Sequence, residues 1–288
     1  MPPFRIAHLS DPHLPPPPSR TRPRLKQAMS RFAWRRKRHH HQPSVLAAIV
    51  ADIKAQQPDH VALTGDLVNF STAEEIAAAR NWLESLAAPH DLTVSPGNHD
   101  ALVHNGADPW KPWRPWMQDE PGDFPSVRVR GPVAVINLCS AVPTHLHLAQ
   151  GRLGESQIAR LDAVLAEAAD RGLYRLVLVH HPAAKGVVSG RKALVDLEAL
   201  GAVLARRGAE LVLHGHGHEA AVSSLEGPAG PIPVLGVPSA SSQGGHHAPA
   251  RWHGFEIARD GGRFVTRMTA RGVGADGRVD DLGGYVLA

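Results

Sequence analysis

The sequence predicts a mixed α/β (α+β) fold, a β-sandwich layered with helices. Two observations point there. Short apolar runs of strand length alternate with helical periodicity through the first three quarters of the chain, and beyond that the pattern is strands and Gly/Pro turns. No internal repeat and no linker-like stretch divides the 288 residues, so a single domain over 1–288 is expected. With 43% hydrophobic and 20% charged residues, wholesale disorder is excluded. The longest apolar runs, such as 176–179, fall far short of the roughly 20 residues that cross a bilayer.

Taken in order, Phe4–Leu9 reads as a buried strand stopping at Ser10-Asp11-Pro12-His13. Prolines 15–18 open a basic segment in which Leu25, Ala28, Met29, Phe32 and Ala33 recur at helical spacing. From Ser44, the residues Val45, Leu46, Ile49, Val50 and Ile53 mark another helix. The strand His60–Leu63 stops at Thr64-Gly65-Asp66. Ser71 and Glu74 have capping-box spacing ahead of a helix carrying Ile76, Trp82, Leu83 and Leu86. A third strand, Leu92–Val94, stops at Pro96-Gly97-Asn98-His99-Asp100, and a Pro/Trp-rich loop over about 101–125 follows. Runs 127–129 and 133–138 suggest an antiparallel pair about a Gly131-Pro132 turn. A helix over 156–169 leads to strand 176–179 and His180-His181-Pro182; a helix over 192–206 leads to strand 210–213 and His214-Gly215-His216-Gly217-His218. Short strands at Ala221–Leu225, 233–237, 254–257 and 264–268 complete the chain.

Each strongly apolar strand in the first and third quarters of the chain thus ends in Asp, Asn or His, among 19 histidines in all. Strand ends of layered α/β folds open onto a shared crevice, which would bring these clusters together. Carboxylate, amide oxygen and imidazole in one place suit borderline divalent or trivalent ions rather than calcium alone or structural zinc. Seven candidate ligands exceed one tetrahedral ion and suit two ions bridged by a carboxylate. Glycines 65, 97, 215 and 217 would let the backbone turn sharply beside the ions. Singly, Gly-Asp and Asn-His-Asp are ordinary turn formers and His-Gly-His-Gly-His a plausible solvated loop; five such clusters at five strand ends are hard to assign to turns.

In the order Asp11-x-His13, Gly65-Asp66, Gly97-Asn98-His99-Asp100, His180 and Gly215-His216-x-His218, the chain resembles the calcineurin-like metallophosphoesterase superfamily, from residue 4 to about 240. It is most similar to the bacterial cyclic-nucleotide and glycerophosphodiester phosphodiesterase branch, whose signature includes a His-His-Pro block. The resemblance implies a four-layer αββα sandwich of two mixed β-sheets flanked by helices, with a dinuclear metal site at the strand ends. It implies one ion on Asp11, His13, Asp66 and His218, and a second on Asp66, Asn98, His180 and His216, with Asp66 bridging. The ions would be divalent or mixed-valence, Mn²⁺, Fe²⁺/Fe³⁺ or Zn²⁺. His181 and His214 would support the ligands from behind. Gly217 departs from the Thr or Ser of many relatives but leaves its flanking ligands intact. A hydroxide on the metals would attack phosphorus in line. His99 holds the position that contacts phosphate and protonates the leaving alkoxide, and Asp100 would orient its imidazole. The implied activity is a phosphodiesterase on small nucleotide or glycerophosphodiester-like substrates. Alternatives are a membrane-associated hydrolase of a lipid-linked phosphoester or pyrophosphate, a nuclease, and a non-catalytic scaffold. The scaffold ranks last because every matched ligand position carries the expected type.

Charge is unevenly placed. The net charge is +4, yet no acidic residue lies between Asp11 and Asp52, where Arg20, Arg22, Arg24, Lys26, Arg31, Arg35, Arg36, Lys37 and Arg38 leave 22 basic against 27 acidic residues elsewhere. This insertion, about 15–43, reads as a cationic amphipathic helix for an anionic membrane surface, as a patch for nucleic-acid phosphates, or as a solvated loop. His39–41 lacks the spacing of the other blocks and is set aside as a ligand site. Pro-Trp-Lys-Pro-Trp-Arg-Pro-Trp has the period of a polyproline II turn, which would align Trp110, Trp113 and Trp116 to wall the site, or pack ordinarily over the core. Cys139 is the single cysteine, and no signal-peptide core opens the chain, so a cytoplasmic protein is expected, peripheral on the inner membrane face if the insertion docks there. The oligomeric state has no signature.

Overall fold

A computed structural model describes residues 2–19, 21–104, 106 and 108–287, so Arg20 of the basic segment lies outside the described residues. Twelve strands form two six-stranded mixed sheets among the described residues. They are β1 (Phe4–Leu9), β2 (His60–Leu63), β3 (Leu92–Val94), β4 (Ser126–Arg130), β5 (Val133–Asn137), β6 (Tyr174–Leu178), β7 (Leu211–His214), β8 (Ala221–Leu225), β9 (Ile232–Gly236), β10 (Arg251–Asp260), β11 (Arg263–Val273) and β12 (Val279–Leu287). The first sheet runs β12-β11-β10-β1-β2-β3 and the second β4-β5-β6-β7-β9-β8. In the first, β1, β2 and β3 are parallel; in the second, β5, β6, β7 and β9 are parallel. The helices are α1 (Leu25–Lys37), α2 (Pro43–Gln56), α3 (Ala73–Leu86), α4 (Arg114–Met117), α5 (Glu155–Asp170) and α6 (Leu197–Arg207).

The period of two along each strand divides the core into three layers. Ile6 of β1, Val133 and Val135 of β5, Leu176 and Leu178 of β6, and Leu211 and Leu213 of β7 meet between the sheets. The alternate residues Ala7 and Leu9 face α2 and α3 through Leu46, Ile49, Ile53, Ile76 and Leu83. Ala134, Ile136, Val177 and Val212 face α5 and α6 through Leu161, Leu165, Leu200 and Leu204. Helices therefore cover the outer face of each sheet, giving the expected four-layer αββα sandwich.

Several local expectations are corrected. The capping box sits one residue later: Thr72 Oγ1 accepts from Glu75 N and Glu75 Oε2 from Thr72 N. The frame is chosen because the buried Glu75 carboxylate also accepts from the Asn69 and Phe70 amides. The sixth helix starts at Leu197, not 192, because Gly151 N donates to Ala193 O and Asp196 accepts from the Leu153 and Gly154 amides, holding 192–196 in turns. The edge strand β12 was not foreseen, since Asp280, Asp281, Gly283 and Gly284 all depress strand propensity. The Pro/Trp segment is a 3₁₀ turn followed by α4, not polyproline II: Pro112 and Pro115 sit at helical N-terminal positions, which their fixed φ also fits. Trp113 and Trp116 are buried in the outer core, with indole N–H groups donating to Ile76 O and Ala87 O. They pack the core and do not wall the site.

At the β4 edge, Arg128 is buried and donates to the carbonyls of Pro89, Leu92 and Trp116 while pairing with Asp119. Arg128→Ala leaves the buried carbonyls of Leu92 and Trp116 without this donor and is expected to cost about 3 kcal/mol, read by urea denaturation. The same arginine pair gives a pH signature. A hydrogen bond from Arg130 pulls the Asp119 carboxyl from 3.8 down to about 2. Its stabilisation is therefore complete above pH 4 and lost as pH falls toward 2. The difference in unfolding midpoint between wild type and Asp119→Asn should close across that window.

Candidate metal centre

The parallel strands of the two sheets end side by side. Asp11 N donates to Gly65 O and His13 N to Asp66 O, extending the β1–β2 ladder beyond the strands. Gly215 N donates to His180 O and so extends the β6–β7 ladder of the second sheet, while between sheets Ser10 bridges Ser239 and His180 Nδ1 donates to Thr64 O at 2.6 Å. The backbone bends sharply here: Asp11, His13, Asp66, His216 and His218 have φ of 52°, 43°, 53°, 66° and 57°. That left-handed region costs a non-glycine residue about 1–3 kcal/mol, and such strain gathers at functional sites. Two glycines make the approach possible. A Cβ at Gly97 would overlap the Asp66 carboxylate, and one at Gly215 would overlap Ser10 Oγ and Asp11 Oδ2.

All seven residues expected to hold metal converge, in two groups about Asp66. In one, His13 Nε2 lies 3.2 Å from His218 Nε2, which is 3.2 Å from Asp11 Oδ1. In the other, His180 Nε2 lies 3.1 Å from Asn98 Oδ1, 3.2 Å from His216 Nδ1 and 3.3 Å from Asp66 Oδ2. Candidate ligand atoms of Asp11, His13 and Asp66 also fall within 4.8 Å of one another. Asp66 Oδ1 accepts from His99 N at 2.7 Å, which leaves Oδ2 facing the His180 side. Likewise Asp11 Oδ2 accepts from His216 N, leaving Oδ1 toward His218.

The electrostatics follow from burial and proximity. Desolvation, then His41 and His99, hold His13 well below the usual histidine range; desolvation, then His181 and His180, do the same for His216. Both rings are therefore neutral near pH 7, with a lone pair to offer. Burial opposes charge on Asp66 too, but His180 and then His99 outweigh it and keep the carboxyl well below the ordinary range. For His180, burial works downward and Asp66 lifts the ring to about 9. Facing imidazole nitrogens beside buried carboxylates are a donor set that fits cations.

A family profile for calcineurin-like phosphoesterases matches residues 4–220. The chain belongs to the calcineurin-like phosphoesterase family. It is thereby a metal-dependent phosphoric ester hydrolase. A probable cyclic nucleotide phosphodiesterase of Synechococcus sp. is 27% identical over 219 residues, 75% of this chain and 78% of that protein. The glycerophosphodiester phosphodiesterase GpdQ of Enterobacter lignolyticus is 30% identical over 138 residues, 44% of this chain and 43% of that one. Among solved structures, a dimetal phosphatase from Danio rerio superposes with a TM-score of 0.62 at 12% identity, covering 100% of this chain and 99% of that one. A purple acid phosphatase from yellow lupin gives 0.61 at 13%, covering 98% and 53%. At such identities the structures bear on the fold alone.

Around the residues expected to hold metal in this phosphoesterase, two expectations change. Asp100 was expected to orient His99, but the His99 Nδ1–H donates to Asn69 O at 2.9 Å. The buried Asp100 carboxylate instead accepts from the amides of Asp66, Val68 and Gly97 at 2.8–3.1 Å. Burial, then Asp66, push its pKa up to about 8. Asp100 ties the second strand end to the third and so sets the position of Asp66. His41 was set aside, yet its Nδ1 meets Ser241 Oγ at 2.8 Å and its ring lies 4.5 Å from that of His13. His13, His41 and His218 form one potential ligand group. Nothing in the spacing of His39-His40-His41 signals this; the bridge His41↔Ser242 brings the ring in. His246 and His247 arrive on the same side, with His247 5.2 Å from the His218 ring. His181 lies behind His180 and His216, its Nδ1 2.7 Å from Ser140 Oγ; burial, then His180, lowers it to about 3. His214 Nδ1 lies 3.1 Å from Gly215 O, and its buried Nε2 has no partner among the described residues.

Asp100→Ala would leave three buried amides unpaired at once. It is expected to cost at least about 2 kcal/mol and to lower metal content with Mn²⁺ or Zn²⁺, measured by elemental analysis after gel filtration.

Proposed function

We propose that this chain is a dinuclear-metal phosphodiesterase for small diesters of the nucleotide or glycerophosphodiester kind. Asp11, His13, Asp66 and His218 would hold one ion, and Asp66, Asn98, His180 and His216 the other. The observation that carries this is Asp66: one oxygen is fixed by the His99 amide, the other faces His180 Nε2 at 3.3 Å, and an imidazole-rich group stands on each side. Bound there, Mn²⁺, iron or Zn²⁺ would supply Lewis acidity toward a phosphoryl group and acidify water.

The chain's own residues complete the chemistry. With Nδ1–H given to Asn69 O, His99 keeps Nε2 to carry a proton to the leaving oxygen. His99 also separates two clefts, which suits a phosphorus bearing two substituents. One cleft, about 400 Å³, is lined by Lys26, Arg191 and Lys192 and offers positive charge to an anionic arm. The other, about 270 Å³, is lined by Trp34, Phe70, His41, His246 and His247 and offers ring faces. The named activities of the Synechococcus and Enterobacter relatives support a diester in preference to a monoester.

Turnover of bis-p-nitrophenyl phosphate should appear with Mn²⁺ or Zn²⁺, vanish with chelator, and exceed that of p-nitrophenyl phosphate. Asp66→Ala should abolish it together with metal binding. His99→Ala should lower kcat about 10²–10⁴-fold with metal content unchanged. Monoester turnover alone would make the protein a phosphomonoesterase, and loss of metal in His99→Ala would remove its role as acid.

A further inference from the structure

The first helix is inside out. Its apolar stripe faces solvent, with Leu25 67%, Met29 41% and Phe32 58% exposed and Ala28 and Ala33 exposed beside them. Its polar side is the one packed on the protein. Gln27 is buried and donates to Phe70 O; Lys26 donates to Thr144 O, Thr144 Oγ1 and Leu148 O; Trp34 meets Phe70 edge-on at 5.9 Å. A surface helix ordinarily buries its apolar stripe. Here the polar contacts anchor α1 and leave the stripe for another occupant. The cationic residues share that solvent side: Arg35 and Arg36 are exposed, and the Arg36 guanidinium lies 4.3 Å over the Phe32 ring. The helix contains no acidic side chain.

We propose that α1 docks this phosphoesterase on an anionic lipid bilayer, with Leu25, Met29 and Phe32 entering the interface and Arg22, Arg35 and Arg36 among the headgroups. Charge selects this occupant. Exposed arginines need an anionic partner, and an anionic bilayer offers negative charge and an apolar layer within one side chain's reach of each other. Nucleic-acid phosphates would use the arginines but leave the apolar stripe in water. A second α1 would bring like charges together. The helix also roofs the catalytic groove: Ser30 lines both clefts beside His99, and Trp34 lines the smaller. Docking by the outer face therefore brings the groove close to the membrane surface. On the phosphodiesterase reading, that geometry favours a diester carried by an amphiphile.

The test is co-sedimentation of the full chain with phosphatidylcholine vesicles, with and without phosphatidylglycerol, for wild type and Leu25→Ser/Met29→Ser/Phe32→Ser. These three side chains stand in solvent and outside the catalytic groove, so circular dichroism and turnover of bis-p-nitrophenyl phosphate should match wild type. Wild type should sediment with the anionic vesicles and hardly with phosphatidylcholine alone, and the triple variant should bind on the order of tenfold less. Equal binding by variant and wild type would reduce the effect to charge and overturn apolar docking. No vesicle binding would overturn it too, whether wild type proves a dimer that the variant dissolves or instead binds a short DNA duplex. Vesicle binding needs no turnover, so a failed diester assay would sink the catalytic reading and leave this one standing.

Discussion

Two buried carboxylates among four imidazoles, those of His13, His180 and His216 buried and that of His218 partly so, are the constraint on which the rest of this structure depends. Desolvating Asp11 and Asp66 is costly unless something cationic or hydrogen-bonding meets them, and the chain supplies both. Each carboxylate is half satisfied by the protein: Asp11 by the His216 amide, Asp66 by the His99 amide. The remaining oxygens face His218 and His180, and burial keeps the neighbouring rings of His13 and His216 uncharged. Such a cluster is strained in backbone and charge, and a bound cation relieves the second strain.

The sandwich is shaped to hold that cluster. Parallel strands from both sheets deliver their ends to one line, and the hydrogen bonds from His180 to Thr64 and from Ala240 to Ser10 lock the two sheets together there. Asp100 works as a clasp, since its carboxylate gathers amides from the second and third strand ends of one sheet. The three apolar layers make this rigid. Inward residues of both sheets interlock, so neither sheet can slide without breaking the core and the site together.

The basic insertion joins the site from outside the sandwich. It contributes His41 beside His13, roofs the groove with Ser30 and Trp34, and turns its apolar stripe away from the protein. Periodicity gave the helix correctly but could not give its orientation, because Leu25, Met29 and Phe32 have the same spacing whichever way they face. The same limit explains the tryptophans. A period of three fits polyproline II and a 3₁₀ turn alike, and burial of Trp113 and Trp116 decided between them.

By itself, the sequence determined every strand but the edge strand β12, most of the helices and the clusters at the strand ends. Those features are local: period-two and period-3.6 patterns and ligand-bearing turns are written in adjacent residues. Tertiary structure alone decided which neighbours those residues meet. His41 reaches His13 through a bridge to Ser242, 201 residues away in the chain, and no spacing rule links them. His99 is held by the Asn69 carbonyl rather than by adjacent Asp100, because the sharp turn after β3 spends that carboxylate on backbone amides. Side-chain types and periods travel with the chain; the pairing of a lone donor with a distant acceptor is settled only when the sheets close.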